Sequence, residues 1–188
     1  LSDWDSKYRA GKDTDNKPSE LLSLALKNAQ PGRALDLACG AGRNSIYLAE
    51  NGWQVCAVDA SAEGLEIARL RAADRKVEIE LVNADLEKGE FVMQVESLDL
   101  IADFFYLERD LWPGIRRSLK PGGLFASEIH LESNAPGLRA MNPLFLLRPG
   151  ELLNEFSDWK IEHFSEGVRV NSGARPTARI IARRPSRD

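Results

Sequence analysis

An apolar run that ends in an acid and breaks into small residues constrains this chain more than any other stretch. Arg33 to Ala49 reads RALDLACGAGRNSIYLA. Ala34 to Leu37 are of the kind that fill a buried strand, Cys39, Gly40, Ala41 and Gly42 make a tight turn, and a helix follows from Asn44. Glycines let the backbone approach a ligand closely, and the helix start points unpaired N–H groups into the same space. Such a turn holds an anionic group, a carboxylate or a pyrophosphate, or it merely packs strand against helix. Asp36 sharpens the reading, because a dinucleotide-binding strand seldom needs a charge at that place. Against this, Gly40, Gly42 and Ser45 have nearly the spacing of a nicotinamide-dinucleotide fingerprint.

The 188 residues fit one domain with a full core, and 43% hydrophobic with 29% charged residues reads as a soluble globular chain. A net charge of −4 gives no general attraction to a polyanion, so no nucleic-acid partner is expected. Arg175, Arg179, Arg183, Arg184 and Arg187 alternate with apolar residues and read as the solvated side of a strand and a short tail. Cys39 and Cys56 suggest neither a disulfide framework nor a metal site, which fits a reducing, cytoplasmic setting. No apolar run approaches the roughly 18 residues of a membrane span, and no charged leader precedes an apolar core, so no membrane partner is expected. The first residue is Leu1 rather than methionine, which limits the targeting argument.

Residues 1–17 form an N-terminal arm whose polarity suggests mobility, with Trp4 and Tyr8 on one face if it is helical. Pro18 suits the first turn of a helix carrying Leu22, Ala25, Leu26 and Ala29, stopped by Pro31 and Gly32. WQVCAVDAS is a second buried strand ending at Asp59, nineteen residues (59 minus 40) beyond Gly40. That is the separation at which an acid meets a ribose diol in α/β cofactor sites. Ser61 caps the next helix. Val77, Ile79 and Leu81 alternate with Glu78 and Glu80 as a half-exposed edge strand, followed by Asp85 and Leu86 in NADLE.

Leu98 to Tyr106 reads as a fourth strand running into an aromatic turn, and Leu111, Ile115 and Leu119 stripe the helix after it. LKPGG stops that helix before a fifth strand, LFASEIH, which ends at His130. Leu131 to Arg148 has no clear period, yet Leu138, Met141, Leu144, Phe145, Leu146 and Leu147 are too apolar for a solvated linker. The stretch is read as a lid over an acceptor, or as a fixed cover of the core. PGELLNEF gives a short helix, and two consecutive strands, WKIEHFSE and TARIIARR, predict a closing antiparallel hairpin rather than more alternating helix and parallel strand.

Taken together, LDLACGAGRN, VDAS, NADLE and LKPGG resemble the class I S-adenosylmethionine (SAM)-dependent methyltransferases, and are most similar to small bacterial tellurite-resistance-like ones. The usual first glycine of the family's first motif is Ala38 here. The resemblance implies an α/β, Rossmann-like, doubly wound seven-stranded sheet, mostly parallel with an antiparallel C-terminal hairpin, as a single domain over residues 18–188. It implies SAM as cofactor, with Asp36, Ala38 and Gly40 at its methionine end, Asp59 and Ala60 at the ribose, Asp85 and Leu86 at the adenine and Phe104 on its flank. Trp4 and Tyr8 either close over the cofactor, as in similar enzymes, or pack onto the body of the domain. No metal is called for.

Methyl transfer from a sulfonium needs alignment and dryness more than a catalytic triad. A hydroxyl or ammonium acceptor also needs a base, for which His130 is well placed, although a histidine satisfied by backbone is the plainer reading. Tyr106 and Arg109 line the same rim and suit an anionic acceptor, with an ordinary solvated arginine the equal alternative; His163 is most simply structural. The expected function is transfer of a methyl group to a small-molecule acceptor by a monomer or homodimer. A nicotinamide-dependent oxidoreductase and a non-catalytic SAM-binding protein are the alternatives.

Overall fold

The computed structural model describes residues 2–12, 14–138, 140–168 and 175–187. In chain order the elements are α1 (Ser2–Arg9), α2 (Glu20–Leu26), β1 (Arg33–Leu37), α3 (Arg43–Glu50), β2 (Gln54–Asp59), α4 (Ala62–Arg75), β3 (Glu80–Asn83), β4 (Leu98–Phe104), α5 (Trp112–Ser118), β5 (Leu119–His130), α6 (Glu151–Glu155), β6 (Lys160–Gly167) and β7 (Thr177–Arg183). The strands form one sheet in the order β3-β2-β1-β4-β5-β7-β6. The first five are parallel, and β7 runs antiparallel to both β5 and β6. The expected seven-stranded sheet is therefore present, with its hairpin turned inwards so that the later strand takes the inner place.

Alternation along the strands builds a core on each face. Ala34, Ala57, Leu100 and Ala126 point to the side covered by Leu21 and Leu22 of α2, Leu48 of α3 and Leu65 of α4. Leu35, Leu37, Ile101 and Phe125 point to the other, against Trp112 and Ile115 of α5, Leu152 of α6 and Phe156 just after it. Chain order reverses between β1 and β4, and the crevice above their carboxyl ends is where such sheets bind ligands.

Several boundaries differ from the sequence reading. Pro18 lies outside α2, whose N-cap is Ser19, and the helix ends before Ala29. β3 begins at Glu80, leaving Val77 and Ile79 unpaired, though it is the edge strand expected. The register jumps from Leu98 opposite Leu119 to Leu100 opposite Leu124, so Lys120 to Gly123 bulge out of β5 instead of preceding it. Arg183 and Arg184 are engaged rather than merely solvated, pairing with Glu162 at 2.6 Å and Glu96 at 3.1 Å. Among the described residues no helix is long and apolar enough to cross a membrane.

Candidate functional site

The glycine turn sits at the switch point, packed by α4 and tied to the start of α2. Ala38, Gly40 and Gly42 all have positive φ, of 49°, 55° and 77°. Glycine adopts this conformation freely; alanine does not, so Ala38 carries backbone strain where the family's usual glycine would carry none. A Cβ on Gly42 would lie 2.7 Å from that of Ala68, so α4 packs directly on the turn. Arg71 of α4 donates to the carbonyl of Ala41 at 3.0 Å, and Asn44 accepts the Ser19 N–H at 3.0 Å.

Asp36 is buried at the end of β1, where it accepts from the Ser45 hydroxyl at 2.5 Å. Burial pushes its carboxyl up to about 7, with the Ser45 hydrogen bond opposing. Asp59 ends β2 and accepts two backbone N–H groups at 2.7 Å, from Gly40 and from Ser61. Burial raises its carboxyl above the ordinary range, and those two donors pull the other way. Asp85 lies beyond β3 and accepts from the Glu87 N–H at 3.1 Å, while its hydrogen bond from Lys88 keeps the carboxyl low. A cavity of about 790 Å³ joins these three acids with Ala38, Gly40, Ala60, Leu86 and Phe104.

The arm is a docked helix rather than a mobile tail. Asp5 accepts from the Ser61 hydroxyl, which itself caps α4 by accepting the Gly64 N–H at 3.1 Å, and Arg9 pairs with Glu63 at 2.9 Å. Tyr8 is buried and Trp4 half exposed, with ring centroids 6.0 Å apart, and both line the cavity. Leu1 and Asp13 of the arm lie outside the described residues.

At the mouth, Phe104 is buried while Phe105, Tyr106 and His130 face the cavity with Met141 and Phe145 from the segment after β5. The Nδ1 of His130 and the hydroxyl of Tyr106 are buried without a hydrogen-bond partner among the described residues. Burial lowers the imidazole below its ordinary value, with the Arg175 charge acting the same way, and raises the Tyr106 phenol. Arg109 departs from the sequence reading: it does not line the cavity. Its guanidinium is taken by Glu151 at 2.6 Å and by the carbonyls of Leu144 and Leu146, both at 3.1 Å, because α6 places a carboxylate within its reach. His163 lies away from the cavity on β6, 3.4 Å from the Ser165 hydroxyl.

Sequence reasoning passed over Asp15, Arg43, Asn44, Glu87 and Phe105, all of which line the cavity. Arg43 left a faint signal, as a cation in the first turn of a helix, where the dipole disfavours it. Phe105 left none.

Residues 34–123 match the family described as "Methyltransferase domain". This stretch is similar to methyltransferase domains. The donor that goes with such domains is S-adenosylmethionine. An N-terminal methyltransferase of cypemycin from Streptomyces sp. is 37% identical over 95 residues, 47% of this chain and 38% of that protein. An uncharacterized methyltransferase of Synechocystis sp. is 33% identical over 117 residues, 61% of this chain and 54% of that one. The chain thus spans about half, or less, of these relatives' length. TehB from Haemophilus influenzae superposes with a TM-score of 0.78 at 20% identity, covering 96% of this chain and 67% of that one, which shows the shared class I fold. These matches are to methyltransferases and not to nicotinamide-dependent oxidoreductases.

The cavity fits that donor chemically. It offers carboxylates to a diol and an amine, and a glycine turn that brings backbone close, with the Tyr8 hydroxyl filling the space a Cβ on Gly40 would take.

Proposed function

We propose that this protein transfers a methyl group from S-adenosylmethionine to a small-molecule acceptor. The observation that carries the reading is one cavity holding the strained Ala38–Gly42 turn, the acids at the ends of β1 and β2, and the docked arm. Bound, the donor supplies a methyl group on an activated sulfur leaving group. Asp36, Ala38 and Gly40 hold its methionine end, Asp59 and Ala60 the ribose, Asp85 and Leu86 the adenine, and Phe104 its flank. Trp4 and Tyr8 of the 1–17 arm cover it.

His130 is the base for an acceptor that must lose a proton: burial keeps it neutral, and Nδ1 has no partner among the described residues to compete. Tyr106 shares the mouth. Residues 131–148, apart from Arg139, which lies outside the described residues, act as a lid hinged on fixed ends. Leu131 bridges Leu147, Leu147 is fully buried, and Arg109 holds the carbonyls of Leu144 and Leu146. Arg109 is thus an anchor for the lid instead of an acceptor ligand. Two unpaired cysteines fit a reducing, cytoplasmic setting.

Calorimetry with SAM and with a nicotinamide dinucleotide tests the cofactor; binding of the second alone refutes the reading. Release of S-adenosylhomocysteine in a pool of small metabolites separates an enzyme from a protein that only binds SAM.

A further inference from the structure

Phe105 is the least expected residue of the cavity. Its φ is +63°, a region that a bulky L residue rarely adopts, and the conformation is fixed by its N–H donating to the Glu128 carbonyl at 2.7 Å. The adjacent Phe104 is 7% exposed, whereas Phe105 is 42% exposed and faces the cavity. Left-handed backbone at the end of β4 therefore spends strain to hold a large apolar ring in water at the mouth. Two groups lie beside the ring: His130 is tilted at 44° with centroids 5.1 Å apart, and the Arg43 guanidinium, itself paired with Asp15 at 3.7 Å, lies 5.6 Å from its centroid. Met141 and Phe145, 38% and 41% exposed, line the same cavity from the segment after β5.

We infer that Phe105 is the platform on which the methyl acceptor stacks, and that the acceptor is a planar aromatic or heteroaromatic molecule with a nucleophilic hydroxyl or nitrogen. This rests on the methyl-transfer reading above. A flat ring, partly exposed in a cavity beside an imidazole, is matched by another flat ring, since stacked rings satisfy shape and quadrupole together. The acceptor's lone pair forms the new bond to the methyl carbon as the sulfur keeps the electrons of the old one, and the proton it sheds passes to neutral His130 and on to water.

The test uses protein saturated with S-adenosylhomocysteine and reads binding by calorimetry. The probes are 1-naphthol and 8-hydroxyquinoline, with cyclohexanol and cyclohexylamine as saturated controls. At least one aromatic probe is expected to bind at least ten-fold tighter than either control. Phe105→Leu should weaken that binding about ten-fold and Phe105→Tyr should keep it, both with unchanged affinity for S-adenosylhomocysteine. Phe105→Gly guards against misfolding: relief of the positive φ should leave it at least as heat-stable as Phe105→Leu while aromatic binding is lost. Equal binding of the controls, no aromatic binding, or unchanged binding by Phe105→Leu overturns the inference. Failure of S-adenosylhomocysteine itself to bind overturns the reading beneath it instead.

Discussion

The phenol of Tyr8 lies against Gly40, where a Cβ would sit 2.3 Å from its hydroxyl oxygen and 3.4 Å from the nearest ring carbon. The arm is thus fitted to a glycine rather than merely near one. Gly40→Ala should destabilise the protein by more than the ~1 kcal/mol expected for alanine at positive φ. Combined with Tyr8→Phe, which removes the clashing oxygen, the same change should cost only about that backbone term. Thermal melts of the four proteins give the coupling; additive losses would mean that the arm does not rest on the turn.

Asp59 is committed twice to the backbone, so its removal reaches beyond a ligand. Asp59→Ala should lose stability as well as SAM affinity, because the Gly40 and Ser61 N–H groups lose their acceptor. Asp59→Asn keeps one acceptor and should weaken SAM binding by ~1.5–3 kcal/mol with a smaller fall in melting temperature. Asp85→Asn should weaken it less, since an amide oxygen still accepts. Calorimetry that ranks Asp85→Asn as the worse variant would exchange the two roles.

Asp36 sets a pH dependence whose sign follows from its raised carboxyl. The folded form keeps its proton to about 7, whereas the unfolded chain gives it up near the ordinary 3.8. Its contribution to stability therefore falls as pH rises through that window, and Asp36→Asn should flatten the curve of urea midpoint against pH. A cation bound beside it favours the ionised form. SAM affinity should then rise with pH towards 7 and level off above, and a flat profile in the parent protein would place the sulfonium elsewhere.

His130 has its imidazole held below the ordinary 6.5, so it is unprotonated at neutral pH. With a hydroxyl or amine acceptor, turnover should fall on the acid side below 6.5. His130→Ala should abolish that limb and lower the rate by roughly 10²-fold, with SAM affinity unchanged. A soft acceptor such as a thiol should lose much less. Parent-like turnover on a hydroxyl acceptor would leave His130 structural.

The segment after β5 should be cut by protease between its two anchored ends and protected in steps, first by SAM and further by the acceptor. Equal cleavage with and without ligands would make it a fixed cover.

Strand β1, the glycine turn and Asp59 were legible in the sequence because a buried strand must be apolar throughout and a ribose contact has a fixed distance along the chain. Asp36 stood out for the same reason, as a charge where burial forbids one without purpose. Arg109 was misread because a side chain at the rim in sequence terms can be turned by a partner forty-two positions away, and Glu151 is that partner. Phe105 was invisible because its importance lies in a φ angle, which residue type does not state. The arm's docking through Asp5 was equally hidden, since a cap supplied from another helix has no sequence spacing.

The inner place of β7 bears on how the chain folds. Strand β6 touches the sheet only through β7, which runs between it and β5. Until β7 is in place, β5 has an open edge and β6 has nothing to pair with. The sheet can close only when the strand made last slides between two made earlier. A folding chain carries unpaired edges until that happens, the condition in which strands add to foreign neighbours.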